Sequence, residues 1–170
     1  MTALLRPMRS EDLGVVIALE PELFGAGAWS RGVYEEELQR ADRCYLVVAT
    51  PVGTSSEPDR VIAYAGLATG IEATVMTIGV AASHRRQGHA RTMLTALLDE
   101  ARRTGAESVF LEVRISDDGA QALYRSFGFE PLAVRRGYYQ PEGADALVMQ
   151  LALRPMTPSL GPVGSEAIEE

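Results

Sequence analysis

The stretch VAASHRRQGHARTMLTALLDEARRTGA, from Val80 to Ala106, constrains the fold more than any other part of the chain. It ends an apolar run, ATVMTIGV, whose β-branched composition predicts a strand. Met93, Leu94, Leu97, Leu98 and Ala101 then recur at the spacing of one helix face. A long helix is therefore expected from about Gly88 to Arg103, with Gly105 ending it. A strand that passes into an amphipathic helix calls for a layered α/β arrangement, because the helix must bury its stripe against another element. The join carries Arg85, Arg86, Gln87, Gly88 and, one turn on, Arg91. A turn that only reverses the chain has no need of so much positive charge.

The flanking segments extend the same pattern. After a short apolar start, Ser10 is expected to cap a helix with Glu11 and Asp12 in its first turn. Leu13, Val16, Ile17 and Glu20 share one face of that helix, and Pro21 is expected to stop it. FGAGAWS is a glycine-rich loop, and Ser30 caps a second short helix to about Arg40, with Val33, Tyr34 and Leu38 inward. CYLVVAT and VIAYAGLAT read as strands separated by the polar loop PVGTSSEPD. Beyond the long helix, SVFLEVR is a strand, and SDDGAQALYRSFGF is a helix closed by Gly128. That helix carries Ala120, Leu123, Tyr124 and Phe127 on its apolar face. LAVRRGYY and ALVMQLAL form two last strands about the turn QPEGAD. The sequence thus predicts one α/β domain over residues 1–153, a mixed sheet with helices on both faces. Residues 154–170 are rich in Pro, Gly, Ser and Glu without periodicity, and are expected to be a disordered tail.

Composition narrows the function. At 170 residues and 46% hydrophobic, the chain can bury one sizeable core. A net charge of -7 disfavours general nucleic-acid binding and suits a cationic substrate. Cys44 is the only cysteine, which excludes an internal disulfide. His84 and His89 have no cysteine or carboxylate close by in sequence, so no metal site is expected. Neither a membrane-spanning run nor the apolar block of a secretory signal is present, and the expected compartment is the cytoplasm, away from any membrane.

The start of a helix leaves backbone N–H groups unpaired, and with the helix dipole behind them they favour an anion, phosphate above all. Gly88 would let the backbone approach that anion closely, and Arg85, Arg86 and Arg91 would add charge-assisted bonds. On these residues alone, a phosphate site and a solvated basic turn stand side by side.

RRQGHA fits the pattern Q/R-x-x-G-x-G/A and opens the helix that follows a strand. With LEVR, ALYRSFGF, RRGYY, the AWS around Trp29 and the terminal DALVMQL, the chain resembles the GCN5-related N-acetyltransferases, the GNAT superfamily, over residues of about 4–153. Within it the chain is similar to the RimI group, which acetylates protein N-termini. The resemblance implies the GNAT fold, a mixed central sheet of about six to seven strands with helices on both faces. It implies acetyl-CoA as co-substrate and no metal. The strand bearing Ile78, Gly79 and Val80 would splay from its neighbour and bond the pantetheine arm, while Arg86, Gln87, Gly88, His89, Ala90 and Arg91 wrap the diphosphate. The family carries Asn where this chain has Asp117. Asp117 then either contacts the cofactor or caps the next helix.

Amide formation from a thioester needs a neutral amine, a place for its proton, an oxyanion donor and a proton for the departing thiolate. Strand alternation puts Phe110, Glu112 and Arg114 on one face, so Glu112 by itself also reads as the ion-pair partner of Arg114. Tyr124 by itself also reads as a core tyrosine. The resemblance implies that Glu112 accepts the amine proton, through water, and that Tyr124 donates to the thiolate. It gives the Val80 N–H to the thioester carbonyl. It places Trp29, Tyr138 and Tyr139 around the peptide groove, although these aromatics would serve equally as core.

Magnitudes bear on the acceptor. Near pH 7.4 neutralising an α-amine of pKa about 7.8 costs roughly 0.5 kcal/mol, against about 4 kcal/mol for a lysine side chain near 10.4. One carboxylate working through water is adequate for the first and strained for the second. Three functions follow: an N-terminal protein acetyltransferase, whose usual target in the RimI group is a small-subunit ribosomal protein beginning with alanine; a GNAT enzyme for a small-molecule amine; or a non-catalytic acyl-CoA-binding module. Glu112 and Tyr124 together count against the third, and the AWS and RRGYY segments favour the first.

Overall fold

The computed structural model describes residues 2–52 and 59–153. In chain order these form β1 (Leu4–Pro7), α1 (Leu13–Phe24), α2 (Arg31–Gln39), β2 (Arg43–Thr50), β3 (Arg60–Ala68), β4 (Glu72–Val80), α3 (His89–Arg103), β5 (Ser108–Arg114), α4 (Asp118–Ser126), β6 (Glu130–Tyr139) and β7 (Ala144–Ala152). The strands make a single 7-stranded sheet in the order β1-β2-β3-β4-β5-β7-β6. Neighbours are antiparallel except β4 and β5, which run parallel with α3 as their crossover. β1 is a strand by virtue of its partner: Leu4, Leu5, Arg6 and Pro7 pair with Ala49, Val48, Val47 and Leu46 of β2. Most of the loop read as PVGTSSEPD and all of residues 154–170 lie outside the described residues.

The β4–β5 pairing is short. Only Glu72↔Ser108, Ala73↔Val109 and Thr74↔Phe110 are joined, and the strands then part. The parting coincides with a bulge in β4: Val75 faces Leu67 and Thr77 faces Gly66, which leaves Met76 as the extra residue. A bulge bends its strand, and here the bend carries the end of β4 away from β5.

Each face of the sheet has its own core. On one, α3 presents Met93, Leu94, Leu97, Leu98 and Ala101, all buried, against β2, β3 and β4, with Tyr124 of α4 in the same cluster. α3 ends as its sequence predicts. Gly105 has φ +85°, its N–H donates to Arg102 O at 3.1 Å, and Ala106 N–H donates to Ala101 O at 2.9 Å, a left-handed glycine cap. On the other face, Leu13 and Val16 of α1 and Tyr34 of α2 pack on Tyr45, Val47, Val61 and Tyr64.

Three local expectations change in the fold. Ser10 does not cap α1; it starts a single 3-10 turn, Ser10–Asp12, and the Asp12 carboxylate accepts from the Arg9 N–H at 2.8 Å and from the Arg6 guanidinium at 2.7 and 2.8 Å. Pro21 does not stop α1, which runs on to Phe24. Proline disfavours a helical residue before it, yet Glu20 is pinned in place by hydrogen bonds from outside the helix. Val33 is 39% exposed, because α2 points Tyr34, one residue on, into the core beside Glu20. Ser30 does cap α2, accepting from the Val33 N–H at 3.3 Å.

Candidate active site

The site starts at the gap between β4 and β5. Ala81 N–H donates to Ile62 O at 2.8 Å, and Val80 stands opposite Ala63 in the next register position. Antiparallel pairs alternate, so Val80 and Ile78 turn their N–H and C=O away from β3 and into the gap. Gly79 turns its own toward β3 and matters for its missing side chain: a Cβ there would stand 2.8 Å from Leu23 Cδ1 and 3.3 Å from Phe24 Cζ. The close approach brings the end of α1 over β4.

At the end of β4 the basic turn takes up a shape that requires its sequence. Arg86 and Gly88 both have positive φ, +60° and +83°, and Gly88 is the cap of α3. Nothing lies within 4 Å of a Cβ built on Gly88, so its open side faces space, while its φ is one that side chains resist. Arg86 and Gln87 are exposed, and His89 and Ala90 are half-buried in the first turn of α3. Gln87 Oε1 and His89 Nε2 lie 3.2 Å apart. Arg91 lies over the Phe127 ring at 5.1 Å and donates to Ser126 Oγ at 3.0 Å, which ties α3 to α4. The turn thus offers α3's free N–H groups, a left-handed glycine and exposed guanidinium groups, a combination that fits a diphosphate.

Glu112 and Tyr124 lie on opposite faces of the sheet. Leu111 and Val113 are buried with the α3 and α4 core, and strand alternation sends Glu112 to the other face. Its partner is not Arg114, its neighbour on that face, but Arg135 of β6, which donates from Nη1 to Glu112 Oε1 at 2.6 Å. Arg114 instead pairs with Glu142 and stacks over Tyr139 at 4.2 Å. Tyr124 is 6% exposed, packed edge-on against Phe129 at 6.0 Å. Its hydroxyl makes no hydrogen bond among the described residues. Burial pushes that hydroxyl well above the usual tyrosine value, with Asp117 and Tyr139 adding to the effect, so it holds its proton at neutral pH. Asp117 caps α4, its Oδ1 accepting from the Ala120 N–H at 3.0 Å.

On the Glu112 face a cavity of about 460 Å³ opens between residues 23–27 on one wall and Arg114, Tyr139 and Glu142 on the other. Tyr138 and Tyr139 stand edge to face at 5.1 Å, and Arg135 lies 5.2 Å from the Tyr138 ring centroid. The neighbouring Glu112 carboxylate, then burial, holds the Tyr138 hydroxyl above its ordinary value. Tyr139 lines the cavity; Trp29 does not, but packs half-buried against Tyr34 at 5.3 Å, just after the loop that forms the wall. Among the described residues no cluster of His, Cys, Asp and Glu could hold a metal, and no helix is long and apolar enough to cross a membrane.

Residues 15–129 match the family described as acetyltransferase (GNAT) family. This chain belongs to the GNAT family. It is 38% identical to the N-alpha-acetyltransferase RimI of Mycobacterium tuberculosis over 138 residues, 78% of this chain and 81% of that protein. It is also 36% identical over 145 residues to an uncharacterized protein of Mycobacterium leprae, where the match takes 82% of this chain but spans only 38% of the longer relative. The crystal structure of the ribosomal-protein-S18-alanine N-acetyltransferase from Escherichia coli superposes with a TM-score of 0.78 at 29% identity, covering 94% of this chain and 99% of that one. The seven-stranded mixed sheet with its helices is the GNAT fold.

Two residues of this GNAT chain that the sequence reading did not single out shape the site. Arg135 sits inside the RRGYY stretch, but nothing local in that string shows that it pairs with a glutamate 23 residues away. Glu20 carried a signal, a lone carboxylate on the apolar face of α1, and the fold buries it completely.

Proposed function

We propose that this chain transfers an acetyl group from acetyl-CoA to the α-amine of a protein N-terminus, by direct attack in a ternary complex. The observation that carries this reading is the β4–β5 gap, with the Val80 N–H turned into it, Glu112 on one face and a protonated Tyr124 on the other. Acetyl-CoA supplies the acetyl group as an activated thioester. Arg86, Gln87, Gly88, His89, Ala90 and Arg91 would hold its diphosphate at the start of α3, and Ile78 and Val80 its pantetheine arm, with Gly79 making room. Asp117, whose Oδ1 is used in capping α4, has the other oxygen left for the cofactor.

Glu112, oriented by Arg135 at Oε1, would accept the amine proton directly or through one water. Tyr124 gives its hydroxyl proton to the departing sulfur, and the Val80 N–H donates to the carbonyl oxygen as charge builds there. Tyr138, Tyr139 and the loop before Trp29 form the acceptor's groove. The low cost of neutralising an α-amine favours an N-terminus over a lysine. The RimI enzyme of M. tuberculosis and the S18-alanine N-acetyltransferase of E. coli point to an N-terminal alanine of a small-subunit ribosomal protein, which would put the enzyme in the cytoplasm. We assign the activity to residues 1–153.

The test is a peptide that carries both a free N-terminal alanine and an internal lysine. Mass spectrometry of the products should find the acetyl group on the α-amine. Predominant lysine modification would overturn the assignment, and rapid turnover of small amines with no peptide product would move the function to a small-molecule acetyltransferase.

A further inference from the structure

Glu20 is a carboxylate 2% exposed, and none of the ion pairs among the described residues includes it. It is satisfied by neutral donors from three separate places. The Tyr34 hydroxyl of α2 and the Tyr64 hydroxyl of β3, the latter at 2.9 Å, donate to Oε1, and the Trp29 backbone N–H donates to Oε2 at 2.9 Å. Burying a carboxylate without a cation is costly unless such bonds compensate it, so a fold that only needed to fill this space would do better with an apolar residue.

The loop that Glu20 reaches explains its presence. Residues 25–28 are Gly-Ala-Gly-Ala, and residues 25–27 are exposed. Nothing stands within 4 Å of a Cβ on Gly25 or Gly27, the stretch carries no polar side chain, and its one internal tie is the Ala28 N–H donating to Gly25 O at 3.1 Å. Its start is fixed by Leu23 and Phe24 lying over Gly79. Its end is fixed where the Trp29 N–H meets Glu20 and the Trp29 ring packs on Tyr34, itself bonded to Glu20. Between those two points the loop forms the wall of the cavity that faces Arg114, Tyr139 and Glu142.

We propose that Glu20 is a positioning residue that sets the acceptor-side wall and thereby the enzyme's selectivity for the first residue of its substrate. This rests on the assignment of that cavity to the acceptor. Loss of the tether frees the wall, so a small first residue is held less well and a bulky one is admitted more readily.

The test compares wild type with Glu20→Gln, whose single amide oxygen cannot accept all three bonds. KM and kcat are measured on peptides beginning with alanine and with leucine, and the dissociation constant for acetyl-CoA by calorimetry. The KM for the alanine peptide should rise about ten-fold, the weight of one hydrogen bond to a charged acceptor. The preference for alanine over leucine should fall by a similar factor, and acetyl-CoA affinity should stay as in wild type. A purely structural Glu20 would lower the melting temperature and leave that preference untouched, and this result overturns the proposal. If Glu20→Gln does not fold, Tyr64→Phe removes one donor and keeps the tether's carboxylate; a smaller shift in the same preference supports the proposal, and an unchanged preference overturns it. If wild type takes only small amines, the N-terminal reading has failed on its own, and the same comparison between a small and a bulky amine decides the role of Glu20.

Discussion

The guanidinium of Arg135 reaches across β7 and donates to Glu112 Oε1 at 2.6 Å, so the carboxylate is held by a residue two strands away. The reach is possible because Glu112 stands opposite Val148, Val148 opposite Ala133, and Arg135 shares Ala133's face two residues on. Arg135 is 56% exposed, so the pair contributes little to stability, about 0.2–1 kcal/mol. Its value lies in orientation. Arg135→Met should leave the melting temperature within a few degrees of wild type and acetyl-CoA affinity unchanged, while turnover falls several-fold. Wild-type turnover in a folded Arg135→Met would show that Glu112 needs no such hold.

Glu112→Gln retains the shape of the side chain and removes its basicity. Turnover at neutral pH should drop by roughly 10²-fold or more, the usual weight of a general base. Binding of acetyl-CoA should be nearly unaltered. As the pH rises past the α-amine's value of about 7.8 the amine neutralises itself, and part of the rate should return. A pH–rate profile parallel to wild type would remove Glu112 from the proton path.

Tyr124→Phe removes the proton held in a buried hydroxyl. Turnover should fall while the KM for peptide stays close to wild type, because in the proposed mechanism the missing group acts on the departing sulfur. The ring still packs on Phe129, so folding should be spared. Unchanged kcat in Tyr124→Phe would return this residue to the core.

Gly88 combines a left-handed backbone with an open side facing the candidate diphosphate site. Gly88→Asp adds a side chain and a negative charge there and should nearly abolish acetyl-CoA binding. Gly88→Ala should weaken it less, through backbone strain of about 1 kcal/mol. Calorimetry that returned a wild-type dissociation constant for a folded Gly88→Asp would place the cofactor elsewhere.

Alkali should unfold the protein through its tyrosines. Burial is the largest cause holding Tyr34, Tyr45, Tyr64 and Tyr124 above the usual value. A folded state that keeps protons the unfolded chain releases near pH 10 is stabilised below that pH and loses the stabilisation as pH climbs above it. Urea titrations should therefore give flat stability from about pH 7 to 9 and a steep decline beyond about 10, with phenolate absorbance rising together with unfolding. Phenolate formation beyond that of the more exposed Tyr138 and Tyr139, in a chain that stays folded, would contradict the burial of these four hydroxyls.

What the sequence determined by itself is what neighbouring residues control. The stripe from Met93 to Ala101 and the cap at Gly105 follow from helix periodicity and from a φ that suits glycine, and both are found as read. The alternation of SVFLEVR, with Val109, Leu111 and Val113 inward and Glu112 outward, follows from the pleat. The glycine of RRQGHA has its left-handed backbone for the same local reason. Tertiary structure decided the rest. Pro21 stays inside α1 because Glu20 is held from 9, 14 and 44 residues away, and no local rule contains those partners. Glu112 takes Arg135 rather than Arg114 because strand order puts β7 and β6 beside β5, which spacing along the chain does not disclose. The gap that exposes Val80 opens because a bulge at Met76 bends β4 after three paired residues, and pairing between strands is settled only when both are in place.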